Sequence, residues 1–426
     1  MNFQFITKRF NGDRVVWCIL FTLCFISIIE VYSASSSRTY NADFWAPALL
    51  HGKFVIGGVI VAWLTHTLKY EWIKDSSKNV YIIGILLLLY ALFGGGANIN
   101  SSMRWVNIFG IKLQHFEIVK LGTVMITALI LAKAQTEERA HLSWNAALSL
   151  ISKKLKGDNR SGDYTMLSIL VCLLIPCAFI ITANLSTVAI ILAASILMMI
   201  VGRVNWKHLV GLIGTGIAVT ALGIATLLVI PDSFKEYGTI GSKVITWKNR
   251  ILDTKDSFGA KDADDVVISG NEQMIYSKVA IAEGGVTGRG PGNSVRRDFI
   301  PHAYNDYIFA ILVEELGLLG GVFTIILYLT LLYRCGIIAK NCDDPYAIFL
   351  VTGIGILICI QAMLHMTISV SNIVTGQPLP LLSQGGTSFI INCIYIGIIQ
   401  SISKHTRRQN KGTGTENAEN PETQTN

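Results

Sequence analysis

The chain has 426 residues, of which 51% are hydrophobic and only 15% are charged, and its mean hydropathy is +0.50. About 25% of the residues are charged in an ordinary soluble domain, so this composition excludes a soluble enzyme, and it also excludes a disordered or collagen-like chain. The formal net charge of +7 does not require a nucleic-acid partner, because membrane proteins carry an excess of lysine and arginine on their cytoplasmic side. We therefore expect a membrane protein that binds no nucleic acid.

Uncharged stretches of about 18 or more residues, which can cross roughly 30 Å of hydrocarbon as a helix, recur along the whole chain. Ten of them lie near residues 15–33, 53–69, 79–97, 116–133, 165–183, 185–202, 208–230, 307–333, 346–368 and 387–403. The sequence therefore predicts an all-α polytopic membrane protein with about ten transmembrane helices, of which the fifth and sixth form a hairpin.

The distribution of charge predicts the orientation of these spans. An even number of spans places both termini on the same side of the membrane. The termini and loops on that side contain twenty lysines and arginines, whereas the opposite face, apart from one long segment, contains Arg38, Lys53, Arg104 and Lys112. Because lysine and arginine accumulate in cytoplasmic loops, we expect both termini to lie in the cytoplasm.

The sequence divides into a cytoplasmic N-terminus at 1–14, a membrane domain at 15–404 and a polar tail at 405–426, which is predicted to be disordered because it has too few apolar residues to form a core. One long extracytoplasmic segment, 231–305, lies between the seventh and eighth spans and contains ten basic and ten acidic residues. Loops of this length usually have a function or are disordered. We expect this one to fold back onto the membrane surface, and its glycine-rich run at 284–294 indicates either a phosphate-binding loop or simple turns.

The cysteines and histidines indicate neither disulfides nor a metal centre. Six of the eight cysteines lie in predicted spans, and the histidines do not follow the spacing of a zinc site. The chain contains no P-loop sequence, so nothing in it predicts ATP-driven transport. The sequence therefore requires no cofactor, and metal ligands remain unassigned.

Charged residues inside a span are costly, and they indicate either a function or a structural pair. Glu117 and Lys120 stand three residues apart on the fourth span, on one helical face, where they can pair with each other. The pair either locks this helix into the bundle or lines a substrate cavity. Loss of one partner of a buried pair costs about 3–5 kcal/mol, so both interpretations predict that single substitutions are harmful.

Two further polar segments border spans at the predicted outer face. Asp306 precedes the eighth span, where it is either a helix N-cap or a functional carboxylate, and Glu314 and Glu315, about two turns deeper, require partners or water. Residues 375–388 contain two prolines and three glycines, which exclude a continuous helix before the last span. Their amides and hydroxyls indicate either a site for an anionic headgroup or a tight re-entrant turn.

Four segments of the chain resemble the SEDS family (shape, elongation, division and sporulation), whose members FtsW and RodA are ten-span membrane enzymes. They are Ser101–Trp105 with Gln114–Lys120, Gly284–Ser294, Asp306–Ala310 with Glu314–Gly317, and Thr375–Ser388. The resemblance covers about residues 15–403 and is closer to division-type FtsW than to RodA. The chain departs from the family at Asn184, where an aspartate is usual, and at Tyr304–Asn305, which replace a His-Thr pair before Asp306.

The resemblance implies a peptidoglycan glycosyltransferase that polymerises lipid II at the outer face of the bacterial inner membrane, with inversion at the anomeric carbon and release of undecaprenyl pyrophosphate. Asp306 is then the general base, and a divalent cation, Mg²⁺ or Mn²⁺, would suit the leaving pyrophosphate. The candidates for substrate binding are Arg104, Glu117, Lys120, Arg250, Lys278, Arg289, Asn293, Ser294, Arg297, Pro380, Ser383, Gly385, Gly386 and Ser388. The implied partners are a class B penicillin-binding protein, which is a transpeptidase, and other proteins of the division or elongation complex. The division septum is the expected location.

Other functions agree with the same residues. A lipid II flippase would also need ten spans and polar groups in the membrane, and an elongation-type, RodA-like polymerase would differ in its place in the cell. A scaffold that only recruits a transpeptidase would use Asp306 as a helix cap. A transporter should carry its polar groups at the membrane midplane, so the concentration of polar residues at 284–306 and 375–388 on the outer face favours the enzyme.

Overall fold

The structure is a computed structural model. It describes residues 11–35, 46–91, 96–99, 102–108, 110–135, 161–181, 184–204, 272–300, 303–371 and 376–419, together with scattered positions between 206 and 252.

The described residues are mostly helical, as the sequence predicts. The helices before the long segment 231–305 are α1 (Arg14–Ser35), α2 (Ala46–Thr67), α3 (Tyr70–Tyr90), α4 (His115–Gln135), α5 (Ser161–Ile180) and α6 (Leu185–Val201). Those after it are α7 (Glu272–Gly284), α8 (Ala303–Asp306), α9 (Ile308–Lys340), α10 (Pro345–Val370) and α11 (Thr387–Glu419). Nine of the ten predicted spans coincide with one of these helices, and the seventh, 208–230, lies largely outside the described residues. The polytopic all-α architecture is thereby confirmed.

Five of these helices are long and apolar enough to cross a membrane by length and composition: α1, α2 from Ala48, α4, α9 and α10. α2 and α9 are the most exposed of the five, with 22% and 28% of their apolar windows buried, whereas 94% of the window in α4 is buried. Helices whose exposed surface is apolar suit contact with lipid. α4 is therefore the central helix of the bundle.

Close packing around α4 depends on glycine. α4 packs against α3, α5, α6 and α10. A Cβ atom added to Gly122 of α4 would lie 2.8 Å from Cα of Tyr81 in α3, which is closer than side-chain atoms approach a backbone. Small residues let two membrane helices come into backbone contact, so Gly122 sets the distance between α3 and α4.

A small β-sheet after α3 was not predicted. The third span was expected at 79–97, but α3 ends at Tyr90, and the chain continues into an antiparallel sheet of strands β1 (Gly96–Ile99), β2 (Ser102–Ile108) and β3 (Ile111–Leu113). The strands were missed because each is short and they follow no long alternating pattern. The sheet is joined to α11 by Thr387, whose hydroxyl donates to Lys112 O at 3.0 Å.

The sequence predicts a disordered tail from residue 405, and the structure differs at the start of this range. α11 continues to Glu419, and its residues just after 404 pack on the protein. The His405 ring stacks on Tyr70 at a centroid distance of 4.8 Å, and Thr406 Oγ1 lies 3.0 Å from Cys342 Sγ. These contacts between distant segments hold the helix beyond the span, and composition alone does not reveal them.

Candidate functional site

The segment 376–386, between α10 and α11, is an irregular turn buried inside the helix bundle. Its carbonyl groups are met by side chains of the surrounding helices. Gln361 Nε2 of α10 donates to Pro378 O at 3.1 Å, and Ser27 Oγ of α1 donates to Leu382 O at 2.7 Å. Buried backbone groups need such partners, because none of them reaches water. Of the two interpretations of this segment, the re-entrant turn is the one that the structure contains.

The predicted substrate-binding residues of this segment are enclosed by protein. Pro380 and Gly385 are buried, Gly386 is half-buried, and Ser383 and Ser388 expose 2% and 1% of their surface. A side chain with so little exposed surface offers little to a ligand. The geometry therefore favours a role for these residues in holding the turn.

Asp306 lies at the end of α8, next to this turn. α8 is a single helical turn, and α9 begins at Ile308 with Tyr307 at the N-cap position, where no side chain makes a capping hydrogen bond. Asp306 is therefore the last residue of α8 and does not occupy the N-cap position of α9. The residue is half-buried, and its Oδ1 is buried. This placement favours a functional carboxylate over a cap.

The glycine-rich loop 284–294 binds two carboxylates of its own chain. Glu315 of α9 accepts hydrogen bonds from Gly292 N at 2.8 Å and Ser294 N at 3.3 Å, and Glu314 accepts one from Val295 N at 2.9 Å. Both glutamates are fully buried, and the Ser294 hydroxyl also donates to Glu314. The loop thus does form an anion cradle, but the anions are internal carboxylates. We name this arrangement the glutamate clamp.

A break in α9 lets the loop reach these carboxylates. Gly317 has φ +70°, a left-handed conformation that glycine adopts without steric cost. Around the break, Arg289 N donates to Glu314 O at 3.0 Å and Gly290 N donates to Glu315 O at 2.8 Å. A Cβ atom on Gly288 would lie 2.1 Å from Glu315 O. The glycines of the loop are thus required for close backbone approach to the broken helix.

The arginines of the loop are bound within the same cluster. Arg296 makes two hydrogen bonds to Glu283, which hold the pKa of that carboxyl below its usual range, and Arg289 Nη2 lies 2.9 Å from Glu283. Arg297 donates to the Ser33 hydroxyl at 2.8 Å, and Ser33 in turn donates to the glutamate clamp. Because these three arginines already bind groups of the chain, a pyrophosphate would have to compete for them.

The predicted pair in the fourth span exists and is buried. Lys120 Nζ lies 2.7 Å from Glu117 Oε1, and the two side chains expose 0% and 1% of their surface. Lys120 also donates to Gln361 Oε1 at 2.5 Å, and Tyr395 OH donates to Glu117 O at 2.7 Å. The pair therefore joins α4 to α10 and α11. This favours the structural interpretation over a cavity lining.

The remaining candidates are dispersed. Lys278 and Asn293 are exposed on α7 and on the loop. Arg104 belongs to β2, and its side chain lies outside the described part of the structure, as does Arg250. Asn184, which stands where the resembling family has aspartate, is the N-cap of α6 and accepts from Ser186 N at 3.1 Å. An N-cap requires a side-chain oxygen but does not require a charge, so asparagine caps the helix as well as aspartate does.

Two residues that join these features were not predicted from the sequence. Gln361 links the buried pair to the turn, and Ser33 links α1 to the glutamate clamp. A glutamine inside an otherwise apolar span was the available signal, because buried polar groups in membrane helices seek partners. Ser33 gave no such signal, since serine is common at the end of a span.

The described residues do not fit a dedicated metal centre. Among them, no group of three or more histidine, cysteine, aspartate or glutamate side chains is arranged to hold a metal ion. The carboxylates of the glutamate clamp accept hydrogen bonds from protein donors, which occupy the positions that a metal would need. The divalent cation stays a prediction, and no chemical step below depends on one.

Comparison with known proteins gives matches over nearly the whole chain. The family model FTSW_RODA_SPOVE, described as a cell cycle protein, matches residues 13–408. The FtsW of Halomonas elongata, named a probable peptidoglycan glycosyltransferase, is 27% identical over 403 residues, which are 92% of this chain and 91% of that protein. Stage V sporulation protein E of Bacillus subtilis is 29% identical over 412 residues, 94% of this chain and 99% of that one. A solved structure from a peptidoglycan synthase complex that coordinates polymerization and crosslinking matches with a TM-score of 0.67 and 19% identity, over 93% of this chain and 98% of that one.

Proposed function

This chain belongs to the FtsW, RodA and SpoVE family of cell cycle proteins, since the family model spans residues 13–408, and we propose that it is a peptidoglycan glycosyltransferase of the division type. The observation that carries the activity is the end-to-end match with proteins named FtsW and peptidoglycan glycosyltransferase. Its substrate is proposed to be lipid II, used at the outer face of the cytoplasmic membrane.

In this proposal Asp306 is the general base of the reaction. The 4-hydroxyl of the acceptor sugar loses its proton to the Asp306 carboxylate while its oxygen attacks the anomeric carbon of the donor. The bond from that carbon to the pyrophosphate oxygen breaks, undecaprenyl pyrophosphate leaves, and the configuration inverts. Such a base must come within about 2.6–3.2 Å of the hydroxyl, and it typically contributes a factor of about 10²–10⁴ in rate. A half-buried aspartate at the end of α8 suits that role, because the short helix fixes its position.

A lipid transporter is less well supported by the same geometry. Alternating access needs polar groups near the midplane that solvent reaches from either side. The charged pair in α4 is instead fully enclosed, with 0% exposure at Lys120.

The proposed partner is a class B penicillin-binding protein that crosslinks the new strands. The support is the likeness in fold to a chain of a peptidoglycan synthase complex. Localisation at the division septum, with both termini in the cytoplasm, belongs to the same proposal. Fluorescence imaging of the tagged protein tests the septal location: a mid-cell band supports division, and an even signal along the sidewall indicates the elongation-type alternative.

The activity is tested with purified full-length protein, its transpeptidase partner and labelled lipid II, with glycan strands separated by gel electrophoresis. The substitution Asp306→Asn preserves size and hydrogen bonding but removes the base, so we expect a fall in rate of about 10²–10⁴. Asp298→Asn is the matched control, because Asp298 is an exposed aspartate in the same loop region, and it should polymerise like wild type. Polymerisation by Asp306→Asn at the wild-type rate would show that Asp306 is not the base, and absence of strands with the wild-type protein would contradict the activity itself.

A further inference from the structure

The one-turn helix α8 is held at its end by the turn that precedes α11. A helix of one turn has no intrahelical donors for its last carbonyl groups, so these groups need other partners. Gln384 N donates to Tyr304 O at 3.1 Å, and Ser383 Oγ donates to Asn305 O at 2.9 Å. These are the two carbonyls directly before Asp306. The position of Asp306 is therefore fixed by hydrogen bonds from a segment nearly 80 residues away in sequence.

The Ser383 hydroxyl makes two hydrogen bonds inside the protein. It accepts a hydrogen bond from Leu379 N at 2.8 Å while it donates to Asn305 O, and the residue exposes 2% of its surface. A hydroxyl has a single proton to donate. Ser383 cannot donate to a substrate without releasing α8, so its proton serves the protein in this structure.

The turn that carries Ser383 is itself rigidly held. Leu381 has φ +61°, a left-handed conformation that costs a residue with a side chain roughly 1–2 kcal/mol. Such strain persists only where the surroundings over-determine the backbone, and it concentrates at functional sites. Here Leu382 N donates to Leu379 O at 3.2 Å, and Tyr328 OH donates to Pro380 O. The turn is therefore a rigid support that holds the Ser383 hydroxyl against α8.

The other end of the same turn is connected to the charged pair of α4. Gln361 Nε2 donates to Pro378 O, and its Oε1 accepts from Lys120. A continuous path of hydrogen bonds and short backbone steps therefore runs from the buried pair through Gln361 and the turn to Asn305. The path is buried from Gln361 to Ser383 and ends at the half-buried Asn305, so it can keep α8 in one place while Asp306 meets a substrate.

We propose that Ser383 is a positioning residue for the reaction, which acts by fixing α8 and hence the carboxylate of Asp306. The inference rests on the proposed function, because it assumes that Asp306 is the base. A shift of about 1 Å in a catalytic group can cost a factor of about 10² in rate, so loss of this one hydrogen bond should lower kcat while the affinity for substrate is kept.

The test is a graded series at residue 383 in the full-length protein with its partner, assayed with lipid II for kcat and KM. Ser383→Ala removes the donor and should lower kcat about 10- to 100-fold with KM within about twofold of wild type. Ser383→Cys retains a weak S–H donor in the same place, so its kcat should lie between those of the wild type and Ser383→Ala. If Ser383→Ala does not fold, Ser383→Cys carries the test alone: a lowered kcat at unchanged KM supports the proposal, and a wild-type kcat overturns it.

The matched control is Thr387→Val. Thr387 also has a buried hydroxyl with two hydrogen bonds, to Lys112 O and from Gln114 N, but these hold the sheet and not α8. Thr387→Val should lower thermal stability without lowering kcat. An equal fall of kcat in Thr387→Val and Ser383→Ala would show a general packing effect and refute the positioning role, as would a rise in KM alone.

The two proposals fail in distinguishable ways. If Asp306→Asn is inactive but Ser383→Ala is fully active, the base assignment stands and only the positioning role is wrong. If Asp306→Asn is active, the base assignment fails, whatever the series at residue 383 gives.

Discussion

Removing the ammonium group of Lys120 should be the most damaging conservative change in the membrane core. The side chain is 0% exposed, and its Nζ lies 2.7 Å from Glu117 Oε1 and 2.5 Å from Gln361 Oε1. Lys120→Met retains most of the stem and its packing. It leaves the Glu117 carboxylate buried without a counter-charge, which costs about 3–5 kcal/mol.

The double substitution Glu117→Gln with Lys120→Met should be milder than Lys120→Met alone. No uncompensated charge remains in the double variant, and the main loss is that of the partner of the Gln361 amide oxygen, about 1–3 kcal/mol. The double-mutant cycle should therefore show strong coupling, with the two changes together costing clearly less than the sum of the single ones.

Unfolding by denaturant in detergent micelles, followed by tryptophan fluorescence, measures this cycle. Lys340→Met, at an exposed lysine at the end of α9, is the control and should change the free energy of unfolding by no more than about 0.5 kcal/mol. Additive costs in the double variant, or a stability of Lys120→Met equal to that of Lys340→Met, would refute a buried and coupled pair.

Three further predictions concern the glycine-rich loop, the helix α7 that precedes it and the orientation of the chain in the membrane. Gly288→Ala combines a left-handed φ of +78° with a clash against a backbone carbonyl at 2.1 Å, so it should cost about 2–5 kcal/mol. Gly292→Ala, at φ +83° with open space around it, should cost only about 1–2 kcal/mol; equal losses in denaturant unfolding would contradict the close approach of the loop to α9. The Glu283 carboxyl has a lowered pKa because Arg296 binds it. The pairing therefore stabilises the fold fully above the usual glutamate pKa. This stabilisation is lost as the pH falls through the lower pKa that Glu283 has in the folded protein. Glu283→Gln should therefore flatten the acid side of a thermal-stability profile below about pH 4.5, and an unchanged profile would show that the pairing does not stabilise the fold. In a cysteine-free background, a membrane-impermeant thiol reagent should label Lys278→Cys in intact cells but not Arg139→Cys, and the reverse pattern would overturn the orientation.

Most of the fold was predictable because the bilayer imposes a simple rule. A segment that crosses the hydrocarbon must be long, apolar and helical, and nine of the predicted spans coincide with described helices for that reason. The short sheet at 96–113 and the packing of His405 on Tyr70 were missed. Both depend on contacts between distant segments, which no local pattern contains.

The candidate site was predictable in its residues but not in their partners. The sequence identified Asp306, the glycine-rich loop and the segment before the last helix as unusual. It left the glycine-rich loop open between a phosphate-binding loop and simple turns, whereas in the structure the loop amides bind Glu314 and Glu315. In the sequence, Glu314 and Glu315 had no evident hydrogen-bond donors, and the loop amides had no evident anion. Only the fold shows that the loop amides are the donors to these two carboxylates.

By itself, the sequence determined that this is a polytopic membrane protein and which family it resembles, because apolar length and short motifs are local properties. The tertiary structure decided which polar groups remain available to a substrate. Buried donors and acceptors must be paired, and the structure pairs those of the turn, the loop and the charged residues of α4 with one another. Asp306 lies half-buried at the end of α8, and Ser383 holds that helix from a segment that the sequence places nearly 80 residues away.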